Sequence, residues 1–165
     1  MSRENYLIRN ANYDDLDSIK SVYNHFITDS FAAYTDTKIK IDTCKDWFQK
    51  AKIFKVIVFE NTVVGFIQPY KPFNTFKHTG VLTYFLLPKF TGKGLGTKLF
   101  NTLVEEAKTL GITNLLAHIS SRNLQSINFH KKMGFEECGR MKNMALKNDI
   151  YLDIIWVQKL MNGTI

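Results

Sequence analysis

The stretch KFTGKGLGTKLF, Lys89 to Phe100, places Gly92, Gly94 and Gly96 at alternate positions ahead of an amphipathic run. Glycines let a backbone adopt positive φ and come close to a bulky ligand. Between a strand and a helix they also aim free amides and the positive end of a helix dipole at one spot, which suits an anion. Lys93 adds positive charge there. Spacing rules out two familiar phosphate loops. A Walker loop needs G-x-x-x-x-G-K-[ST], but Gly92-Lys93 is followed by Gly94. A dinucleotide fingerprint needs G-x-G-x-x-G, and its third glycine would fall on Thr97 or Leu99. What remains is an anion cradle, or a tight strand–helix turn that holds nothing.

A second constellation lies downstream. Asn123, Ile127 and His130 stand at i, i+4 and i+7, one face of a helix. A histidine there can donate or relay a proton near neutral pH; the alternative is a half-buried helix histidine with its hydrogen bond satisfied. His25 and His118 lie in ordinary helix and strand patterns and read as structural, and Trp47 and Trp156 read as core. Cys44 and Cys138 are too few and too isolated for a disulfide framework or a zinc site, so no metal is expected.

The elements that must position these residues follow from periodicity. NYLIRNA reads as a strand. In YDDLDSIKSVYNHFITDSF, Leu16, Ile19, Tyr23, Phe26 and Ile27 fall at helical spacing. IDTCKDWFQKA reads as a short helix capped by Asp42 or Thr43. FKVIVFENTVVGFIQPY reads as a hairpin turning at Asn61-Thr62. TGVLTYFLLP is nearly all apolar, hence a central strand buried on both faces. The helix after the glycines carries Leu99, Leu103, Ala107 and Leu110 on one stripe, with Phe100 and Val104 beside it, and ends at Gly111. TNLLAHIS is a strand, NLQSINFHKKM a helix closed by Gly134, and GFEECGRM and DIYLDIIWVQKL closing strands. The order β-α-α-β-β-β-α-β-α-β-β makes a mixed α/β sheet in a single domain over residues 1–165.

Composition narrows the function classes. The chain has 165 residues, 45% of them hydrophobic, enough to bury a core. No run approaches about 18 apolar residues, so no membrane partner is expected. MSRENYLIRN holds no apolar stretch long enough for a signal peptide. With the isolated cysteines this points to a reducing cytoplasm. The net charge of +7 comes from scattered lysines; with no nucleic-acid motif beside them, no nucleic-acid partner is expected.

The loop Thr91-Gly92-Lys93-Gly94-Leu95-Gly96 resembles motif A of the GNAT acetyltransferases, [RQ]-x-x-G-x-[GA], with Thr91 in place of the usual Arg or Gln. NLQSINFHKKMGF resembles their motif B, matching at Asn123, Ser126, Phe129, His130, Gly134 and Phe135. Both ends of the chain are similar to the phosphinothricin-acetyltransferase-like branch. The resemblance implies a mixed, mostly antiparallel sheet with splayed middle strands, flanked by helices, and acetyl-CoA as donor. It implies backbone contacts to the pantetheine arm near Tyr84, Phe85 and Leu86, with the Phe85 region holding the oxyanion. It implies a pyrophosphate on the amides of Gly92, Lys93, Gly94, Leu95, Gly96 and Thr97, a cofactor contact from Asn123, and His130 near the departing thiolate or the amine. Tyr34 would lie near the acceptor, a small-molecule amine. Homodimers are common in the branch, and the closing strands offer Ile150, Leu152, Ile154, Ile155 and Trp156 as apolar surface.

Two departures shape the expected acceptor. The branch carries a basic glutamate where Val81 stands, and arginines where Lys71 and Phe73 stand. Lys71 is the remaining cation for an acidic substrate. An α-amine, pKa about 7.7–8.0, loses its proton to water readily at pH 7, whereas a lysine-like amine, pKa about 10.4, leans on a base. The expected reaction is acetylation of an amino acid or close analogue by direct attack, with peptide N-termini and a non-catalytic CoA sensor as rivals. His78, Tyr84 and Asp36 are candidate bases that spacing does not separate. Asp153 matches the branch's W-x-D, with Tyr151 in place of the Trp.

Overall fold

The computed structural model describes residues 6–71 and 74–161. Strand β1 is Tyr6–Asn10, followed by helices α1, Leu16–Asp29, and α2, Ile41–Lys50. Strands β2 (Lys55–Phe59), β3 (Thr62–Tyr70) and β4 (Thr79–Leu86) lead to α3, Leu95–Thr109. Then come β5 (Asn114–Ser120), α4 (Leu124–Lys132), β6 (Glu136–Lys147) and β7 (Ile150–Leu160). The seven strands form one sheet in the order β1-β2-β3-β4-β5-β7-β6. Every pairing is antiparallel except β4 with β5.

The parallel pairing is short. Only Thr79–Val81 pair with Asn114–Leu116, after which the strands part. The backbone orientation of β4 follows from its bonds at each end. His78 O accepts from Thr113 and Asn114 on the β5 side, while the Leu87 amide donates to Val64 O on the β3 side, 2.9 Å. Alternation along the strand therefore turns the amides of Leu82, Tyr84 and Leu86 into the gap and those of Thr83 and Phe85 toward β3. Phe85, in the region expected to hold the oxyanion, pairs with Phe66 of β3, so the amides beside it that face the gap are those of Tyr84 and Leu86.

Side chains alternate oppositely, so the gap separates two cores. On one face α3 buries Leu99, Phe100, Leu103 and Ala107 against Leu115, Ala117 and Ile119 of β5, with Phe129 of α4 beside them. On the other, α1 and α2 pack Leu16, Ile19, Val22 and Cys44 against Val56 and Phe66. Leu110, expected on the α3 stripe, lies past the helix end and is exposed.

Local signals are met with small shifts. The β2–β3 turn falls on Glu60 and Asn61, both at positive φ, one residue earlier than expected. Helix α2 starts at Ile41 after Lys40 without a side-chain cap, so neither Asp42 nor Thr43 caps it; Asp42 sits in the first turn, where its charge suits the dipole. Strand β6 runs past the expected GFEECGRM segment to Lys147, through register shifts at Glu137/Gly139 and Met141/Ala145. Asp153 accounts for the second: its carboxylate accepts the Asn143 amide at 2.9 Å, with Asn143 at φ 51°. Leu152, Ile154 and Ile155, expected as surface, are buried in the chain's own core. No helix among the described residues is long and apolar enough to cross a membrane.

Candidate active site

The gap between β4 and β5 opens into a cavity of about 640 Å³ that reaches both faces of the sheet. Among the described residues its lining includes no acidic residue and two cations, Arg122 and Lys132. On the α3/α4 side lie Thr91, Gly92, Gly94, Gly96, Thr97, Asn123 and His130; on the α1 side lie Tyr23, Phe26, the 30–34 segment and His118.

The glycines behave as the sequence demands. Gly92 and Gly94 adopt φ of 75° and 77°, and Gly94 is the residue before α3. Nothing crowds either position, so it is the backbone conformation that calls for glycine. Gly96 answers to space: a Cβ there would strike the Tyr84 hydroxyl. The Leu95 side chain is buried in the core, leaving its amide at the helix start. The lysine of the loop, Lys93, is exposed and its side chain does not line the cavity. Thr91 spends its hydroxyl on Pro88 O, 2.8 Å.

Asn123 caps α4, its side chain accepting the Ser126 amide at 3.1 Å. This fixes the helix that carries His130. His130 is 4% exposed, and its Nδ1 lies 2.8 Å from Ser126 O, a pure acceptor, so Nδ1 carries the hydrogen. Among the described residues no buried side-chain nitrogen or oxygen lacks a partner. None of the described residues bonds to Nε2, which is therefore not sealed in the core and is left as an acceptor on a ring that lines the cavity. Burial lowers the His130 pKa, against the pull of the Ser126 carbonyl, and so favours the neutral ring.

The opposite wall was missed by pattern reading. His118, expected to be structural, lies between two tyrosines: Nδ1 is 3.0 Å from Tyr34 Oη and Nε2 is 3.4 Å from Tyr70 Oη. Burial lowers its pKa. Tyr34, Tyr23, Phe26 and Phe31 make the wall aromatic, and Phe85 packs its ring on Tyr23 and Phe26 with centroids 4.9 and 5.0 Å away. Arg122 stacks over Phe31, 5.5 Å from its centroid. Lys71 is exposed and lies off the cavity, and Phe73 falls outside the described residues. The 30–34 segment is held from behind. Lys147, 2% exposed, donates to the carbonyls of Ile27 (2.7 Å), Ser30 (2.7 Å) and Ala33 (2.9 Å), which uses all three ammonium hydrogens.

A β-sheet parted between two central strands, with a glycine-led helix at the parting, has known relatives. The profile of the acetyltransferase (GNAT) family matches residues 19–135. The L-amino acid N-acyltransferase MnaT of Escherichia coli is 30% identical over 157 residues, covering 92% of this chain and 91% of its own. The L-methionine sulfoximine/L-methionine sulfone acetyltransferase of Salmonella typhimurium is 29% identical, covering 92% of both chains. Among solved structures, an N-acetyltransferase from Staphylococcus aureus superposes with a TM-score of 0.87 at 29% identity, covering 96% of this chain and 99% of that one. A ribosomal-protein-alanine N-acetyltransferase from Brucella melitensis gives 0.85 at 31%, covering 93% and 99%. A phosphinothricin acetyltransferase from Sinorhizobium meliloti, in complex with acetyl-CoA, gives 0.87 at 26%, covering 94% and 88%. The chain belongs to the GNAT family and is an acetyl-CoA-dependent N-acetyltransferase.

Proposed function

We propose that the chain acetylates the α-amine of a small amino acid or analogue with a neutral or apolar side chain, by direct attack within a ternary complex. The observation that carries this reading is the cavity itself. It crosses the sheet through an unpaired strand edge, has a glycine-and-cation end and an aromatic end, and has no acid in its lining. The first end suits a polyanionic thioester. Acetyl-CoA supplies an acetyl group activated by a thiolate leaving group. The amides of Tyr84 and Leu86 face the gap and would hold the pantetheine arm and the carbonyl oxygen as it gains charge. The amides of Gly92 to Thr97 would hold the pyrophosphate, with Lys132 in the same lining to meet further phosphate charge.

The second end suits an apolar acceptor. Lys71 lies off the cavity, which leaves Arg122 as the cation beside the aromatic wall. The neutral His130, with Nε2 open, can accept the proton shed by the attacking nitrogen and return it to the departing sulfur. The expectation of a resting proton donor thus becomes an acceptor first and a donor second. The reading extends to a second copy of the chain packed on the β6–β7 hairpin. Leu146 and Tyr151 are cross-strand partners there, 54% and 64% exposed, beside Met144 at 64%.

The test is a comparison of kcat/KM by acetyl-CoA consumption for phosphinothricin, neutral amino acids, methionine sulfone and alanine-initiated peptides. Neutral α-amino acids or the sulfone are expected to be turned over fastest. A large preference for phosphinothricin would show that the aromatic wall had been misread. Preference for the peptides would favour the second reading, N-terminal acetylation, which the likeness to the Brucella melitensis structure supports.

A further inference from the structure

Val81 stands where the resemblance places a basic glutamate, and its side chain is 1% exposed in an apolar setting. Its neighbours in the sheet are more informative. Val81 pairs with Tyr70 on β3 and with Leu116 on β5. Paired residues share a face, and residues two apart along a strand share it as well. Tyr70, Val81 and His118 therefore project from the same face of the sheet, the α1 face, with the valine between them. Tyr34 reaches the same point from the segment after α1. Its hydroxyl lies 3.0 Å from His118 Nδ1, and the Tyr70 hydroxyl lies 3.4 Å from Nε2. Tyr34 is in the cavity lining and Tyr70 is 38% exposed. The three groups run from the cavity to solvent.

We infer that Tyr34, His118 and Tyr70 form the route by which the acceptor's ammonium proton leaves, so that His118 supplies the basic function absent at Val81. The inference rests on the proposed reading of an α-amine acceptor. Proton bookkeeping defines what such a route carries when the acceptor binds as the ammonium. An ammonium and an acetyl thioester become an amide, a thiol and one proton. One nitrogen proton goes to the sulfur, for which His130 is placed on the opposite side of the gap. The other must be removed before attack. Tyr34 Oη accepts it while passing its own hydrogen to His118 Nδ1, and the resulting imidazolium releases its Nε2 hydrogen past Tyr70 to water. The imidazole must be neutral at rest, and burial favours this by lowering its pKa. The titratable groups facing it are Tyr34 from the segment after α1 and Tyr70 from β3, with Tyr23 of α1 next to Tyr34. From β7 it meets only the ring of Trp156, centroids 5.0 Å apart. Among the described residues no charged side chain bonds to it.

The pH profile of kcat/KM separates this role from packing. With the relay intact, bound ammonium is competent, and the acid limb should follow His118, with its midpoint below about 6.5. In Tyr34→Phe, which keeps the ring, and in His118→Gln, only the free amine reacts. The midpoint should then climb to the substrate's own ammonium pKa, which for a free amino acid lies above the about 7.7–8.0 of a peptide α-amine. At pH 7 that is a loss of at least about five- to tenfold, the figure for a peptide α-amine, vanishing once the pH passes the substrate's own pKa. Nitrogen-15 NMR of the free protein should find His118 neutral at pH 7, with hydrogen on Nε2. A loss of equal size at every pH, or an Nδ1–H tautomer, would overturn the relay while leaving the acetyltransferase intact. Failure of the unmodified protein to acetylate any α-amine would overturn the substrate reading, and the relay with it.

Discussion

At the scale of single residues, the proposed mechanism divides the proton traffic between two histidines by where their lone pairs point. His130 is locked by Ser126 O through Nδ1, and its ring lines the cavity. His130→Phe keeps a ring among Phe129 and Phe135 but removes the acceptor. Base or acid catalysis is worth about 10²–10⁴-fold, but a thiol of pKa about 8.5 leaves without much help. The expected result in single-turnover kinetics is a fall in kcat of about tenfold or more, with acetyl-CoA affinity by calorimetry nearly unchanged. An equal loss of affinity would reassign the ring to cofactor packing. The histidines also mark what pattern reading can reach. His130 was singled out by its place in the motif-B-like NLQSINFHKKMGF, a short-range pattern, and it lies in the cavity lining. His118 was not, because its partners lie 84 and 48 residues away in the chain and no local spacing records them.

At the scale of elements, strand and helix order was legible throughout, since each element carries its own apolar period. The loop glycines were legible because positive φ is a local demand. What stayed hidden were long-range choices: which face of β4 meets the gap, where β6 bulges, and what Lys147 does. A lysine in a closing strand reads as solvent-facing, yet this one is buried and caps the α1 end and the segment after it with three hydrogen bonds. The negative end of the helix dipole favours the charge there. Lys147→Met would leave three carbonyls without a donor, at about 1–3 kcal/mol for each one that water cannot reach. A net loss of about 3 kcal/mol is expected, lowering Tm by about 6–12 °C for a chain of this size. Because the 30–34 segment lines the acceptor end, the acceptor KM should rise more than the acetyl-CoA KM. Equal rises would show that the lysine serves the fold alone.

At the scale of the whole molecule, β6 is an edge strand, and exposed edges invite pairing or burial. Met141, Met144, Leu146 and Tyr151 are each at least 45% exposed on this hairpin. Light scattering at micromolar concentration is expected to give twice the 19.1 kDa chain mass, and Leu146→Lys with Tyr151→Lys to shift it toward the single chain. A single-chain mass for the unmodified protein across that range would exclude the second copy. Apolar residues of the closing strands were legible in sequence, but which of them face outward depends on a register that the bulges reset. Lys147 has a further consequence in time rather than in space. The ribosome makes α1 and the 30–34 segment well over a hundred residues before the lysine that secures them. A nascent chain can thus have its glycine turn and β4 in hand while the aromatic end of the cavity stays unfinished, so that wall, among the first parts written, is among the last to set.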